Sequence, residues 1–197
     1  MTWRIRLATS GDAVALAEIY RPIVALTPIS FEVEPPDQDE FERRIEKTLT
    51  GHPWLVCEYD GRVTGYAYAS RHRERLAYQW SVDTSVYVHS HFRRRGIGHA
   101  LYTSLFPILV AQGYYTAYAG ITLPNPGSVG LHESVGFKPL CVYRNVGYKL
   151  GAWYDVGWWE LPLQPVRAMP PLPKKLSDLQ NDHNWDKMLA SGLPSIH

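Results

Sequence analysis

Between residues 3 and 8 apolar and basic side chains alternate as Trp3-Arg4-Ile5-Arg6-Leu7, the two-residue period of a strand with one covered face. Ser10-Gly11-Asp12 then offers an N-cap ahead of the apolar run 13–20, which predicts a helix. Pro28, Pro35 and Pro36 mark residues 27–39 as a loop, and residues 40–49 read as a second helix, charged on one side. Two β-rich runs, 54–59 and 63–69, flank Asp60-Gly61. That dipeptide supplies the left-handed backbone of a tight turn, so the pair predicts a hairpin. After a charged break at 71–78, residues 80–89 are again β-like. Over residues 96–112, Ile97, Leu101, Leu105, Ile108 and Leu109 fall on one helical face. Pro107 interrupts this pattern: it has no N–H, and its ring opposes the Thr103 carbonyl, so a kink is expected. Residues 115–121 form a strand, Asn125-Pro126 opens a short helix to about Val135, and strands at about 138–148 and 153–161 close the series.

The order β-α-α-β-β-β-α-β-α-β-β predicts a mixed α/β fold, a mainly antiparallel sheet with flanking helices around a central strand–helix unit. Strand and helix do not alternate strictly, which argues against a doubly wound parallel sheet. Residues 1–163 read as one domain. Residues 164–197 form a proline-rich C-terminal extension, with prolines at 165, 170, 171, 173 and 194, expected as an extended arm with one short helix near 176–189.

Composition narrows the function classes. The 197 residues, 45% hydrophobic, suffice for one domain with a real core. Twenty basic against nineteen acidic side chains give a net charge of +1, without the basic surplus of a dedicated nucleic-acid binder. Cys57 and Cys141 are too few for a disulfide scaffold or a cysteine zinc site and read as buried free thiols in a reducing compartment. No apolar run reaches the roughly 18 residues of a membrane span, and the first residues lack an apolar signal core. A soluble cytoplasmic protein without a metal is expected.

The densest chemistry lies in residues 85–98, where a strand runs through Arg93-Arg94-Arg95-Gly96 into an amphipathic helix. Such a turn leaves several N–H groups unpaired at the positive end of a helix dipole. With two glycines allowing close backbone approach, it reads as a pyrophosphate cradle. The glycines do not follow the full G-x-G-x-x-G dinucleotide pattern.

The spacing Arg93-x-x-Gly96-x-Gly98 resembles the acetyl-CoA motif of the GNAT N-acetyltransferase superfamily. The run from Asn125 through Ser128 and His132 to Gly136-Phe137 resembles that superfamily's second signature. Gly65-Tyr66-Ala67-Tyr68-Ala69, residues 80–88, Leu131-His132-Glu133 and residues 147–156 are similar to the phosphinothricin and methionine-sulfoximine N-acetyltransferases, a likeness spanning about residues 3–163. The resemblance implies acetyl-CoA bound by Val86, Tyr87, Val88, Arg93, Arg94, Arg95, Gly96, Ile97, Gly98, His99, Asn125 and Ser128. It implies direct transfer, in a ternary complex, to the α-amine of a small amino-acid-like acceptor.

An α-amine arrives protonated and must lose a proton before attack. The resemblance places the base at Asp83, where the family usually has Glu. The shorter Asp calls for a bridging water or a weaker base role, and an Asp paired to a cleft arginine is the structural alternative. It makes His132 a base partner or the donor to the leaving thiolate, a role its ordinary pKa suits. The acceptor set it implies comprises Phe31, Arg73, Glu74, Arg75, Tyr78, Asp83, Thr84, Ser85, Tyr87, Lys149 and Val156, the arginines suited to bidentate anion recognition. A homodimer is also implied. The rival readings are acetylation of another amine, such as a protein N-terminus, a polyamine or an aminoglycoside, and a non-catalytic acyl-CoA-binding module.

Overall fold

In the computed structural model, which describes residues 2–197, Asp60 and Gly61 take φ of +48° and +80°. They close a hairpin between β2 (Trp54–Tyr59) and β3 (Arg62–Arg71). These strands and β1 (Trp3–Leu7), β4 (Ser81–Val88), β5 (Thr116–Leu123), β6 (Lys138–Lys149) and β7 (Ala152–Pro162) form one sheet in the order β1-β2-β3-β4-β5-β7-β6. All pairings are antiparallel except β4 with β5. That pairing holds only from Ser81↔Thr116 to Asp83↔Tyr118, although both strands continue. The sheet therefore opens beyond Asp83 into a gap between β4 and β5.

Helices cover both faces. α1 (Ala13–Leu26) and α2 (Gln38–Leu49) bury Leu16, Ile23, Phe41 and Ile45 against Trp54, Val56 and Tyr66. On the other face α3 (Ile97–Gln112) buries Leu101, Leu105, Ile108 and Leu109 against Val82, Ala117 and Ala119. The expected cap at Ser10 is supplied instead by Thr9 and Asp12, whose carboxylate accepts the Thr9 N–H at 2.7 Å. α4 (Pro126–Ser134) starts as read, with the Asn125 side chain accepting from Ser128 N.

Pro107 does not interrupt α3, which runs unbroken from Ile97 to Gln112. The Thr103 carbonyl that Pro107 cannot bond accepts from Ser191 Oγ at 2.9 Å. Ser191 belongs to the proline-rich extension, which has two short helices in place of the single one expected, α5 (Leu176–Leu179) and α6 (Trp185–Ala190). This extension lies along α3. Lys174 N bonds Gln112 O at 2.7 Å, Leu176 and Leu179 are buried in the α3 core, and Ser104 Oγ donates to Leu189 O at 2.8 Å. At its end His197 N bonds Arg95 O at 3.2 Å. Of the two thiols, Cys57 is buried as expected, but Cys141 is exposed on β6.

Candidate active site

The gap beyond Asp83 divides the site by face. The buried side chains of Val82 and Thr84 belong to the α3 side, while Asp83, Ser85 and Tyr87 alternate to the α1–α2 side. A small channel of about 60 Å³ lies in the gap, lined by Ser85 and Tyr87 of β4, Thr122 of β5, and Ser128 and His132 of α4. It lies where β4, past its last bond to β5, keeps an edge without a strand partner.

A cavity of about 370 Å³, running from the start of α3 and α4 to Ile23 of α1, is lined by every residue expected to bind acetyl-CoA except Arg95. Val86, Tyr87 and Val88 form its floor from β4. Arg93, Arg94, Gly96, Ile97, Gly98 and His99 form the turn and first turn of α3, and Asn125 and Ser128 come from the start of α4. Ile23, Ile29, Phe92, Gly127 and Leu131, which the sequence reading missed, complete the walls. Arg94 and Gly96 both take left-handed backbone, φ +65° and +77°. They wind the chain so that α3 begins with no side-chain cap, leaving its first amides free for an anion. The turn fits a pyrophosphate group.

The Arg95 side chain lies away from the cavity, its guanidinium 5.6 Å from the Phe92 ring centre. The two glycines line the cavity and also have structural reasons of their own: a Cβ on Gly96 would lie 1.9 Å from Ser195 O, and one on Gly98 would lie 2.8 Å from Leu131 Cδ2. Gly96 is required by its positive φ and by the extension behind it, and Gly98 by the packing of α3 on α4.

His132 is buried on α4. Its Nδ1 is 2.8 Å from the Ser128 carbonyl, which can only accept, so Nδ1 carries the proton. Nε2 then accepts from Tyr102 Oη at 2.8 Å. Burial holds the ring's pKa below the ordinary histidine value, with the Ser128 carbonyl opposing. As placed, His132 is a neutral ring with both nitrogens engaged.

Asp83 is paired, and its partner is a histidine rather than a cleft arginine. Its Oδ1 is 2.6 Å from His72 Nδ1. His72 stacks on Tyr118 at 4.5 Å between ring centres and meets Tyr78 and Trp158 edge-on at 6.1 and 6.2 Å. Burial raises the Asp83 pKa, with His72 and Arg73 pulling the other way. The sequence reading gave His72 no role. The missed signal lies in the β3–β4 register: Ser70 pairs with Asp83 and Arg71 with Val82, so the residue just past the end of β3 falls beside Asp83.

The expected acceptor residues divide. Arg73 stands over Trp158 at 5.8 Å, and Tyr78 and Ser85 lie on the Asp83 side. Phe31 packs onto β6, where a Cβ on Gly147 would meet its ring at 2.1 Å, and Val156 of β7 pairs with Thr122 beside the channel. Thr84 is turned to the other face, its hydroxyl donating to Tyr118 O at 3.3 Å. Glu74 pairs with Arg71 at 3.3 Å and lines a cleft of about 740 Å³ between α2 and β3, which reaches Ser70 beside Asp83 and shares Tyr87 with the channel. Arg75 caps the short turn Leu76–Tyr78 and is exposed. Lys149 is buried, and its ammonium donates to Val24 O and Ser30 O, both at 2.6 Å. It pins the loop that carries Phe31 rather than reaching for an acceptor.

A mixed sheet split between β4 and β5, with a basic turn on one face and a carboxylate on the other, defines an acyl-transfer fold with separate seats for two substrates. The acetyltransferase (GNAT) domain matches residues 5–158, and the chain belongs to that family. It is 39% identical over 170 residues to a phosphinothricin N-acetyltransferase of Streptomyces viridochromogenes, covering 84% of this chain and 93% of that protein. It is 34% identical to an L-methionine sulfoximine/L-methionine sulfone acetyltransferase of Salmonella typhimurium, covering 83% and 96%. The crystal structure of a phosphinothricin acetyltransferase from Sinorhizobium meliloti in complex with acetyl-CoA superposes with a TM-score of 0.82, at 34% identity over 87% of this chain and 94% of that one. Among the described residues, no helix is long and apolar enough to cross a membrane, and no cluster of His, Cys, Asp and Glu could hold a metal ion.

Proposed function

We propose that this protein transfers an acetyl group from acetyl-CoA to the α-amine of a small amino acid with a tetrahedral, anionic or polar head, of the phosphinothricin or methionine-sulfoximine type. The observation carrying this reading is the β4–β5 gap. It sets a pyrophosphate-shaped turn near one side of the split and the half-buried Asp83 carboxylate on the other, with a small cavity of about 60 Å³ in the gap lined by β4, β5 and α4 residues. Coenzyme A supplies a good thiolate leaving group. The chain's own residues do the rest. Amides of Arg94 to His99 hold the phosphates, and the unpaired edge of β4 past Asp83 offers N–H donors to a developing oxyanion. On the other face Asp83 attracts the ammonium, and Arg73 beside Trp158 meets the acceptor's anionic head.

The acceptor class follows from this arrangement and from the substrates named for the relatives. A polycationic acceptor would face Arg73 with like charge. A planar carboxylate head directs its oxygens differently from a tetrahedral one, and each buried donor it leaves unpaired costs about 1–3 kcal/mol. Thiol release from acetyl-CoA, followed with phosphinothricin, methionine sulfoximine and glutamate, tests this. The expected kcat/KM for either analogue exceeds that for glutamate by roughly a hundredfold. Equal values for all three would remove this acceptor class, and release of no thiol with any amine would remove acetyl transfer.

The same reading makes the protein a homodimer in the cytoplasm. β6 is an edge strand exposing Leu140, Val142, Tyr143, Val146 and Tyr148 beside Trp153, the unpaired apolar surface that a second subunit covers. The two unpaired cysteines accord with a reducing compartment.

A further inference from the structure

We propose that His72 and Asp83 act as one proton-accepting pair, in which His72 Nε2 receives the proton that the acceptor's ammonium must lose. The inference rests on the reading above that the protein acetylates an amine.

Four observations converge on the ring. It stands where the sheet splits, because Asp83 and Tyr118, its hydrogen-bond and stacking partners, are the last residues that β4 and β5 pair. Its tautomer is fixed from outside. Ionised Asp83 accepts from Nδ1–H at 2.6 Å, which leaves Nε2 with its lone pair. Nε2 has no protein hydrogen bond among the described residues, while the side chain keeps 13% of its surface exposed. Tyr118 of β5 stacks on the ring's face and Trp158 of β7 meets its edge, with Tyr78 of its own segment at another edge, so two strands outside the loop fix its orientation. An imidazole oriented by a carboxylate at Nδ1 and without a protein partner at Nε2 is built to take a proton and to be stabilised once it has.

The balance is simple. One N–H bond of the ammonium breaks and an Nε2–H bond forms, leaving a neutral amine to attack the acetyl carbonyl. The second proton lost as the amide forms ends on the coenzyme A thiol, and the imidazolium returns its proton to water. The charged or titratable groups around the ring are Asp83 on β4, Tyr118 on β5 with Glu160 opposite it on β7, and Arg73 and Tyr78 on the ring's own segment. Asp83 alone bonds it.

The test compares full-length wild type with His72→Phe, which keeps a flat ring on Tyr118, and with His72→Ala. Thiol release is measured from pH 5.5 to 9.5 with the best acceptor amine, and acetyl-CoA affinity by titration. Expected for His72→Phe is a loss in kcat/KM of about 10² or more at neutral pH, with unchanged acetyl-CoA affinity. The wild-type plateau at higher pH gives way to a rate that keeps rising with pH. Added imidazole restores part of the His72→Ala rate, and Asp83→Asn costs little further in the His72→Phe background. A His72→Phe enzyme with the wild-type rate and pH profile, or a His72→Ala enzyme equally active without imidazole, overturns the role of His72 and leaves acetyl transfer standing. Wild type inactive toward every amine overturns both.

Discussion

The two histidines nearest the gap between β4 and β5 lie on opposite faces of the sheet and are held in opposite ways. His132, on the cofactor face, spends both nitrogens on the protein, one toward Ser128 and one toward Tyr102. His72, on the acceptor face, spends one nitrogen on Asp83 and keeps the other. Residue type and nearness to a motif favour His132, and hydrogen-bond bookkeeping favours His72. A ring whose two nitrogens are already bonded must break a bond before it can work, whereas a ring oriented at one nitrogen is ready at the other.

The largest expected effect is at the carboxylate. Asp83→Asn should lower kcat/KM by about 10²–10⁴, read from steady-state kinetics. The family likeness alone leads one to expect that Asp83→Glu keeps activity. The 2.6 Å bond to His72 reverses that expectation, because an added methylene must displace the ring. A fully active Asp83→Glu enzyme would break the contrast between the two histidines. Gly96→Val should be next. It forces a β-branched residue into φ +77° and drives its Cβ into the Ser195 carbonyl, costing about 1–3 kcal/mol in backbone strain alone. Thermal unfolding should show the loss, and acetyl-CoA affinity should fall with it as the turn loses its brace.

Tyr102→Phe addresses His132 directly. It leaves buried Nε2 without a donor, at about 1–3 kcal/mol of stability, while the acidic limb of the rate profile stays in place. A variant of normal stability but with a collapsed kcat would return the chemical role to His132. The pH dependence of folding separates the rings further. The folded-state pKa of His132 lies below its ordinary 6.5, so the unfolded chain binds the extra proton first. Its contribution to stability is whole above about pH 6.5 and is lost progressively as pH falls below that. Thermal melts of wild type and His132→Phe between pH 5 and 8 should show the difference shrinking toward acid.

Local signals were legible in the sequence. The Asp60-Gly61 turn, the apolar stripe of α3, the Asn125 cap and the basic turn each rest on residues a few positions apart, and each stands where the pattern put it. What the sequence did not yield depends on partners far along the chain. Ser191 answers Thr103 across 88 residues, and Lys149 reaches Val24 across 125. The reason for glycine at 96 lies at Ser195. His72 hid in a charged run, Arg71-His72-Arg73-Glu74-Arg75, that composition marks as a solvated loop. The hairpin register would have placed it beside Asp83.

The extension along α3 also makes the cofactor turn vulnerable to a cut far from it. The sheet and both histidine neighbourhoods are built from residues before Leu163. The backbone of Ala100, the hydroxyl of Ser104 and the glycine at 96 take their cover from Gly192, Leu189 and Ser195. Proteolytic nicking within the extension therefore reaches the pyrophosphate turn before it reaches the acceptor face, and should loosen acetyl-CoA binding while Asp83 and His72 keep their places.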